Sequence, residues 1–231
     1  MSENKSASSE LKDKLFMKRK NGFLRMSDEE IKSCDNFSEN YKCFLNSAKT
    51  EREAVITSVE LLEKKGFKPY SIGMELRPGA KIYRVNRGKA VIASVIGSES
   101  IEKGVRLCAA HIDSPRLDMK QNPLYEDNEM AFFKTHYYGG LKKYQWTAMP
   151  LSLHGVIVKS DGTQITVNIG ENESDPVFCV TDLLPHLATE QMKRPLSQAI
   201  KGEELNIVIG SRPFRDDDAS EAVPAVVLAG G

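Results

Sequence analysis

No apolar run in this 231-residue chain approaches the roughly 20 residues that a transmembrane helix requires, so a helical membrane span is not expected. Cysteine is sparse: Cys34, Cys43, Cys108 and Cys179 stand far apart with no CxxC pair. That spacing argues against both a zinc ribbon and a disulfide framework, and it fits a reducing cytoplasm. Net charge is lacking too. Thirty-two basic residues balance 32 acidic ones, leaving no electrostatic case for nucleic acid or for an anionic membrane as a partner. The first ten residues are polar and Ser-rich without the apolar core of a secretory signal, and they read as disordered. No HExxH zinc-protease motif, P-loop, GxGxxG after a strand or GxSxG nucleophile elbow occurs.

What is present is the composition of a globular protein, with 40% hydrophobic and 28% charged residues, in a chain long enough to bury one large core or two small ones. The stretch from Leu11 to about Gly66 reads as helical. Ser27-Asp28-Glu29-Glu30 is a capping box that opens a short helix, and Ser38 to Asn46 is a second candidate. Thr50 to Lys65 is the strongest helix, with an apolar face of Ala54, Val55, Val59, Leu61 and Leu62 and a stop at Gly66. Lys81 to Val85 and Lys89 to Ile96 pattern as strands across Asn86-Arg87-Gly88. Val105 to Ala110 is nearly continuous apolar sequence, as in a strand buried on both faces, which would make Cys108 a buried thiol. Beyond Pro115, strands are expected at Met130 to Thr135, Leu151 to Lys159, Gln164 to Ile169 and Leu205 to Ile209. Asp161-Gly162 provides a hairpin turn, and a helix is expected within Thr181 to Gln191.

The chemistry centres on Ala109-Ala110-His111-Ile112-Asp113-Ser114-Pro115-Arg116. Residues i and i+2 of an extended chain point the same way. His111 could therefore offer one ring nitrogen to a metal while the Asp113 carboxylate holds the N–H of the other. The spacing alone is weak, since four histidines with about a one-in-twenty chance each of a following Asp give roughly 0.2 such pairs by chance. His136, among aromatics, reads as a packing residue, and His154 as a hydrogen-bonded core or edge residue. His186, after Pro185, reads as a side chain able to reach a ligand. Lys142-Lys143-Tyr144-Gln145-Trp146 mixes basic and aromatic residues, but zero net charge and the absence of a further basic cluster favour a packed or interface strand over a nucleic-acid surface.

Several longer blocks carry more information than any single motif. His111-Ile112-Asp113-Ser114-Pro115-Arg116-Leu117, Asn122-Pro123-Leu124-Tyr125-Glu126, Lys134-Thr135-His136-Tyr137-Tyr138-Gly139-Gly140 and Lys143-Tyr144-Gln145-Trp146 follow one another in order. Together they closely resemble the aspartyl aminopeptidase and vacuolar aminopeptidase I family of dinuclear zinc exopeptidases, bacterial members above all, from about Phe37 to about Arg215. The resemblance implies that His111 is a metal ligand and Asp113 its supporting catalytic carboxylate. It also implies two zinc ions, or other divalent metals, in a complete site. Leu184-Pro185-His186-Leu187-Ala188 is similar to the region that supplies a substrate-binding histidine to a neighbouring subunit, so His186 takes that role by resemblance.

The fold implied by the resemblance is α/β. Residues 1–115 would form the first part of a phosphorylase/hydrolase-like exopeptidase sheet with helices. Residues 116–213 would form an inserted β-rich dimerisation domain, and 214–231 a truncated return to the catalytic domain with an atypical tail. Family members are about twice this length, and their bridging aspartate, glutamate pair, further carboxylate and last histidine have no counterpart here. The run Asp216-Asp217-Asp218 does not match the bridging-aspartate context. The expectation is a cytoplasmic aminopeptidase-family chain acting on peptides with acidic or neutral N-terminal residues when complete, homo-oligomeric through its inserted domain, and inactive alone. The alternative is a non-catalytic assembly module.

Overall fold

A computed structural model describes residues 6–17 and 19–212. The expected return segment 214–231, with its acidic run and tail, lies outside the described residues, as do residues 1–5 of the expected disordered start. The chain divides into two compact units, one ending at Ser47 and the other beginning at Ala48.

The first unit is helical. Helix α1 (Ala7–Leu15) overturns the expected disorder of residues 7–10, because the Ser6 side chain accepts the Ser9 N–H at the helix start and no Gly or Pro interrupts it. Helix α2 (Asp28–Ser47) runs through both expected helical pieces as one element. Its capping box is formed as read: Ser27 N–H donates to Glu30 Oε2 at 2.8 Å, and Glu30 N–H donates to Ser27 Oγ at 3.3 Å. Three acidic residues in its first turn suit the dipole, and nothing between Cys34 and Ser38 breaks the helix.

The second unit opens with helix α3 (Glu51–Lys64), closed at its start by a reciprocal Thr50–Glu53 capping box. Ala54 and Val55 are its buried residues, and it packs beside a three-stranded sheet of order β1 (Lys68–Pro69), β2 (Lys81–Asn86) and β3 (Ala90–Val95). Tyr83 of β2 is buried and donates its hydroxyl to Glu63 Oε1 at 2.6 Å, while Lys81 Nζ caps the helix end at the Lys65 carbonyl. Arg87 and Gly88 adopt φ of 52° and 66°, the left-handed pair that a tight hairpin turn needs.

A four-stranded antiparallel sheet follows, in the order β4 (Arg116–Asp127), β5 (Met130–Tyr138), β9 (Ile207–Gly210), β8 (Cys179–Val180). A separate hairpin pairs β6 (Leu153–Val158) with β7 (Gln164–Ile169), turning at Gly162 with φ 84°. The core gathers Trp146, Val180, Ile200 and Leu205, with Leu117, Tyr137, Leu151 and Ile207 against them. The architecture is mixed α/β with several sheets.

Four expectations are corrected. Val105 to Ala110 forms no strand, and Val105 and Leu107 are exposed, as is Cys108. A strand buried on both faces needs neighbours on both edges and layers above and below, and no described strand pairs with this run. The expected helix in Thr181 to Gln191 contracts to α4 (Thr189–Met192), because a turn at Leu184–Ala188 around Pro185 precedes it. Lys143–Trp146 is a 3-10 turn rather than a strand, although Trp146 is buried as packing requires. His136 is exposed, since alternation along β5 turns its neighbours Thr135 and Tyr137 inward.

Candidate metal centre

The segment that carries His111 and Asp113 leads directly into β4, and register decides what meets it. Arg116, the first residue of β4, pairs with Tyr138, the last of β5. The irregular segment just before β4 therefore lies against the end of β5. Gly139 (φ 102°) packs against Pro115 there, so closely that no side chain would fit between them.

Within that segment the i, i+2 geometry brings the two candidate residues together. His111 Nδ1 lies 3.0 Å from Asp113 Oδ1 and 3.0 Å from the Asp113 carbonyl oxygen. Both oxygens only accept, so Nδ1 carries the proton that satisfies them, and in the neutral ring this leaves the lone pair on Nε2. The other carboxylate oxygen, Oδ2, accepts the Tyr138 hydroxyl at 2.7 Å. That hydroxyl, the Asp113 backbone and His111 hold the carboxyl below its usual range, against the opposing effect of partial burial. The same bond pushes the Tyr138 hydroxyl up. Arg116 stacks its guanidinium on the Tyr138 ring at 4.1 Å from the centroid. It also donates through Nε to Asp118 Oδ1 at 2.8 Å and reaches Glu51 of α3 at 3.3 Å. Burial opposes the charge on Arg116, but the Asp118 and Glu51 carboxylates outweigh it and raise its pKa.

The donor set fits one metal ligand and its carboxylate support. His111 is 82% exposed in its side chain, and among the described residues no group of three His, Cys, Asp or Glu side chains gathers as a metal site. A catalytic zinc needs three protein ligands. His186 is exposed in the turn before α4, with no hydrogen bond or ion pair to His111 or Asp113 among the described residues. Two clefts, of about 310 and 600 Å³, are lined by neither His111 nor His186.

His154 has the most elaborate surroundings of any histidine here. Its buried ring lies between Glu53 Oε1, 2.8 Å from Nδ1, and Glu171 Oε1, 2.9 Å from Nε2. Ser152 Oγ donates to the same Glu171 oxygen at 2.8 Å. Glu53 also closes the α3 capping box, so one carboxylate both starts the helix and clamps the β6–β7 hairpin. Sequence reading marked His154 as hydrogen-bonded, but not its partners, which lie 101 and 17 residues away. It equally missed Tyr138, which only strand register brings to Asp113.

The sequence profile of the aminopeptidase I zinc metalloprotease family, M18, matches residues 44–228. A probable M18 family aminopeptidase 1 from Clostridium acetobutylicum is 46% identical over 213 residues, covering 90% of this chain and 46% of that protein. The crystal structure of an M18 aminopeptidase from Thermotoga maritima superposes with a TM-score of 0.80 at 44% identity, over 91% of this chain and 45% of that one. The S. cerevisiae mApe1 dodecamer shares the fold at a TM-score of 0.57 and 21% identity, over 80% of this chain and 40% of its own. The chain thus spans about half the length of the relatives it matches.

Proposed function

The chain belongs to the aminopeptidase I zinc metalloprotease family, M18, and from that premise we propose that it carries the opening portion of a zinc aminopeptidase site. In this reading His111 is a metal ligand through Nε2, and Asp113 is the carboxylate that fixes its tautomer. A complete site would hold two zinc ions and remove acidic or neutral residues from peptide N-termini in the cytoplasm. Bound zinc supplies a Lewis acid that makes water acidic and polarises the scissile carbonyl. The single observation that carries the assignment is the Asp113 carboxylate on His111 Nδ1, leaving Nε2 without a partner among the described residues.

Residues 1–115 are assigned to the α/β exopeptidase sheet, 116–213 to an inserted β-rich dimerisation domain, and 214–231 to the return to the catalytic domain. His186 is assigned to a neighbouring subunit's substrate site. Oligomerisation is supported by the dodecameric yeast relative. With one histidine ligand among the described residues, the chain alone is not expected to turn over substrate.

Metal content by mass spectrometry, paired with hydrolysis of aspartyl and leucyl anilides in added Zn²⁺ or Mn²⁺, tests both parts. Weak zinc uptake that His111→Ala abolishes, without turnover, is expected. Zinc uptake untouched by His111→Ala overturns the ligand assignment. Two-metal binding with turnover overturns the inactivity of the chain alone. That no three-group cluster gathers among the described residues also favours a second reading, a non-catalytic assembly module. A dimer by light scattering with neither metal nor turnover would favour it.

A further inference from the structure

We propose that Tyr138 is a positioning residue for His111, setting through the Asp113 carboxylate which ring nitrogen carries the proton and which is presented to a metal. The metal half of this statement rests on His111 being a ligand, whereas the tautomer half stands on the hydrogen bonds alone.

His111 has little else to hold it. Its ring is largely exposed, and among the described residues its only polar restraints are the carboxylate and carbonyl of Asp113. The orientation of the ring therefore depends on the carboxylate together with the neighbouring carbonyl, and of the two only the carboxylate is a side chain free to turn. A carboxylate turns about a broad, roughly two-fold torsion unless both oxygens are held. Oδ1 faces His111 and the Asp113 backbone touches the same carboxylate, while the Oδ2 partner that ties it to the sheet is the Tyr138 hydroxyl.

Tyr138 is fit for that role because it is itself fixed from three sides. Its backbone is set by pairing with Arg116, and its ring lies under the Arg116 guanidinium. That guanidinium is anchored by Asp118 and Glu51. Gly139, the next residue, presses on Pro115 and holds the His111 segment against the strand end. Phenylalanine would keep the stacking and the strand pairing. Among the described residues, the hydroxyl alone couples the sheet to the carboxylate.

The test is the ring ¹⁵N chemical shifts of His111 in the full labelled chain at alkaline pH, where imidazole is neutral, with the signals assigned by loss in His111→Gln. Wild type should show chiefly the Nδ1–H form. Tyr138→Phe should raise the Nε2–H fraction several-fold with an unchanged melting profile, and Asp113→Asn should raise it at least as far. Should Tyr138→Phe fail to fold, Arg116→Met, which frees the Tyr138 ring without touching Asp113, should give an intermediate shift. A His111 tautomer ratio identical in wild type and in the folded variants overturns the proposal. A shifted ratio in a chain that takes up no zinc through His111 leaves Tyr138 as the positioning residue and refutes the ligand reading instead.

Discussion

A β-carbon on Gly139 would stand 2.6 Å from the Cα of Pro115, closer than real side chains come. The backbone there also sits at φ 102°, where side chains are strained. Gly139→Ala should therefore lower stability by about 2–3 kcal/mol, combining strain with a contact that backbone must move to relieve. Gly66→Ala, at φ 83° with open space around it, should cost only about 1 kcal/mol. Urea denaturation of the two variants side by side checks the difference.

Thr135 sits in the middle of β5, buried to 1% exposure, and donates its hydroxyl to the carbonyl of the fully buried Leu205. Thr135→Val keeps the shape and strands that carbonyl, and should cost about 1–3 kcal/mol. Thr135→Ser keeps the donor and loses one methyl, for about 1 kcal/mol. Thermal melts should rank wild type above Ser, and Ser above Val.

The His154 ring joins two carboxylates from different elements. His154→Ala leaves both without their shared donor and should cost about 2 kcal/mol, less than a fully buried pair because Glu171 is partly exposed. Lys49, 3.7 Å from Glu171 and well exposed, should matter by less than about 0.5 kcal/mol when replaced by Ala. Hydrogen exchange should show the β6–β7 hairpin opening faster in the first variant alone.

Acid should weaken this region. Donation from Ser152 and His154 holds the Glu171 carboxyl below its ordinary 4.5. The Gly170 and Asn172 amides hold Asp175 below 3.8, and Thr163 does the same for Asp161. A carboxyl depressed on folding stabilises the native state above its unfolded value, and that contribution is lost as pH falls through the folded value. Urea midpoints should therefore be flat above the ordinary carboxylate range and fall below it. In His154→Ala the decline should be shallower.

Local chemistry was legible from the sequence, and register was not. The Ser27 capping box, the Gly66 stop and the Asn86-Arg87-Gly88 turn each depend on neighbours a few residues apart, and each appears where read. Strand β4 escaped notice because Gln121-Asn122-Pro123 breaks its alternation. The register shifts there, between Met119 and Leu124, and Pro123 has no N–H to pair. Its turn escaped too, since Asn128 and Glu129 take φ of 51° and 61° without a glycine. Val105 to Ala110 misled in the other direction, because apolar composition reports a tendency to be covered and not whether described neighbours exist to cover it. At the candidate centre the His111–Asp113 contact follows from i, i+2 geometry. The Tyr138 contact spans 25 residues and needs the hairpin.

That hairpin bears on the order in which the protein assembles. Small zinc modules fold around their ion, which nucleates the structure. Here the carboxylate two residues after His111 gains its second anchor only when β4 and β5 have zipped to their common end. Under the ligand role proposed for His111, the imidazole would already be turned when an ion arrives, and metal capture would follow the pairing of β4 with β5 as a late event of maturation.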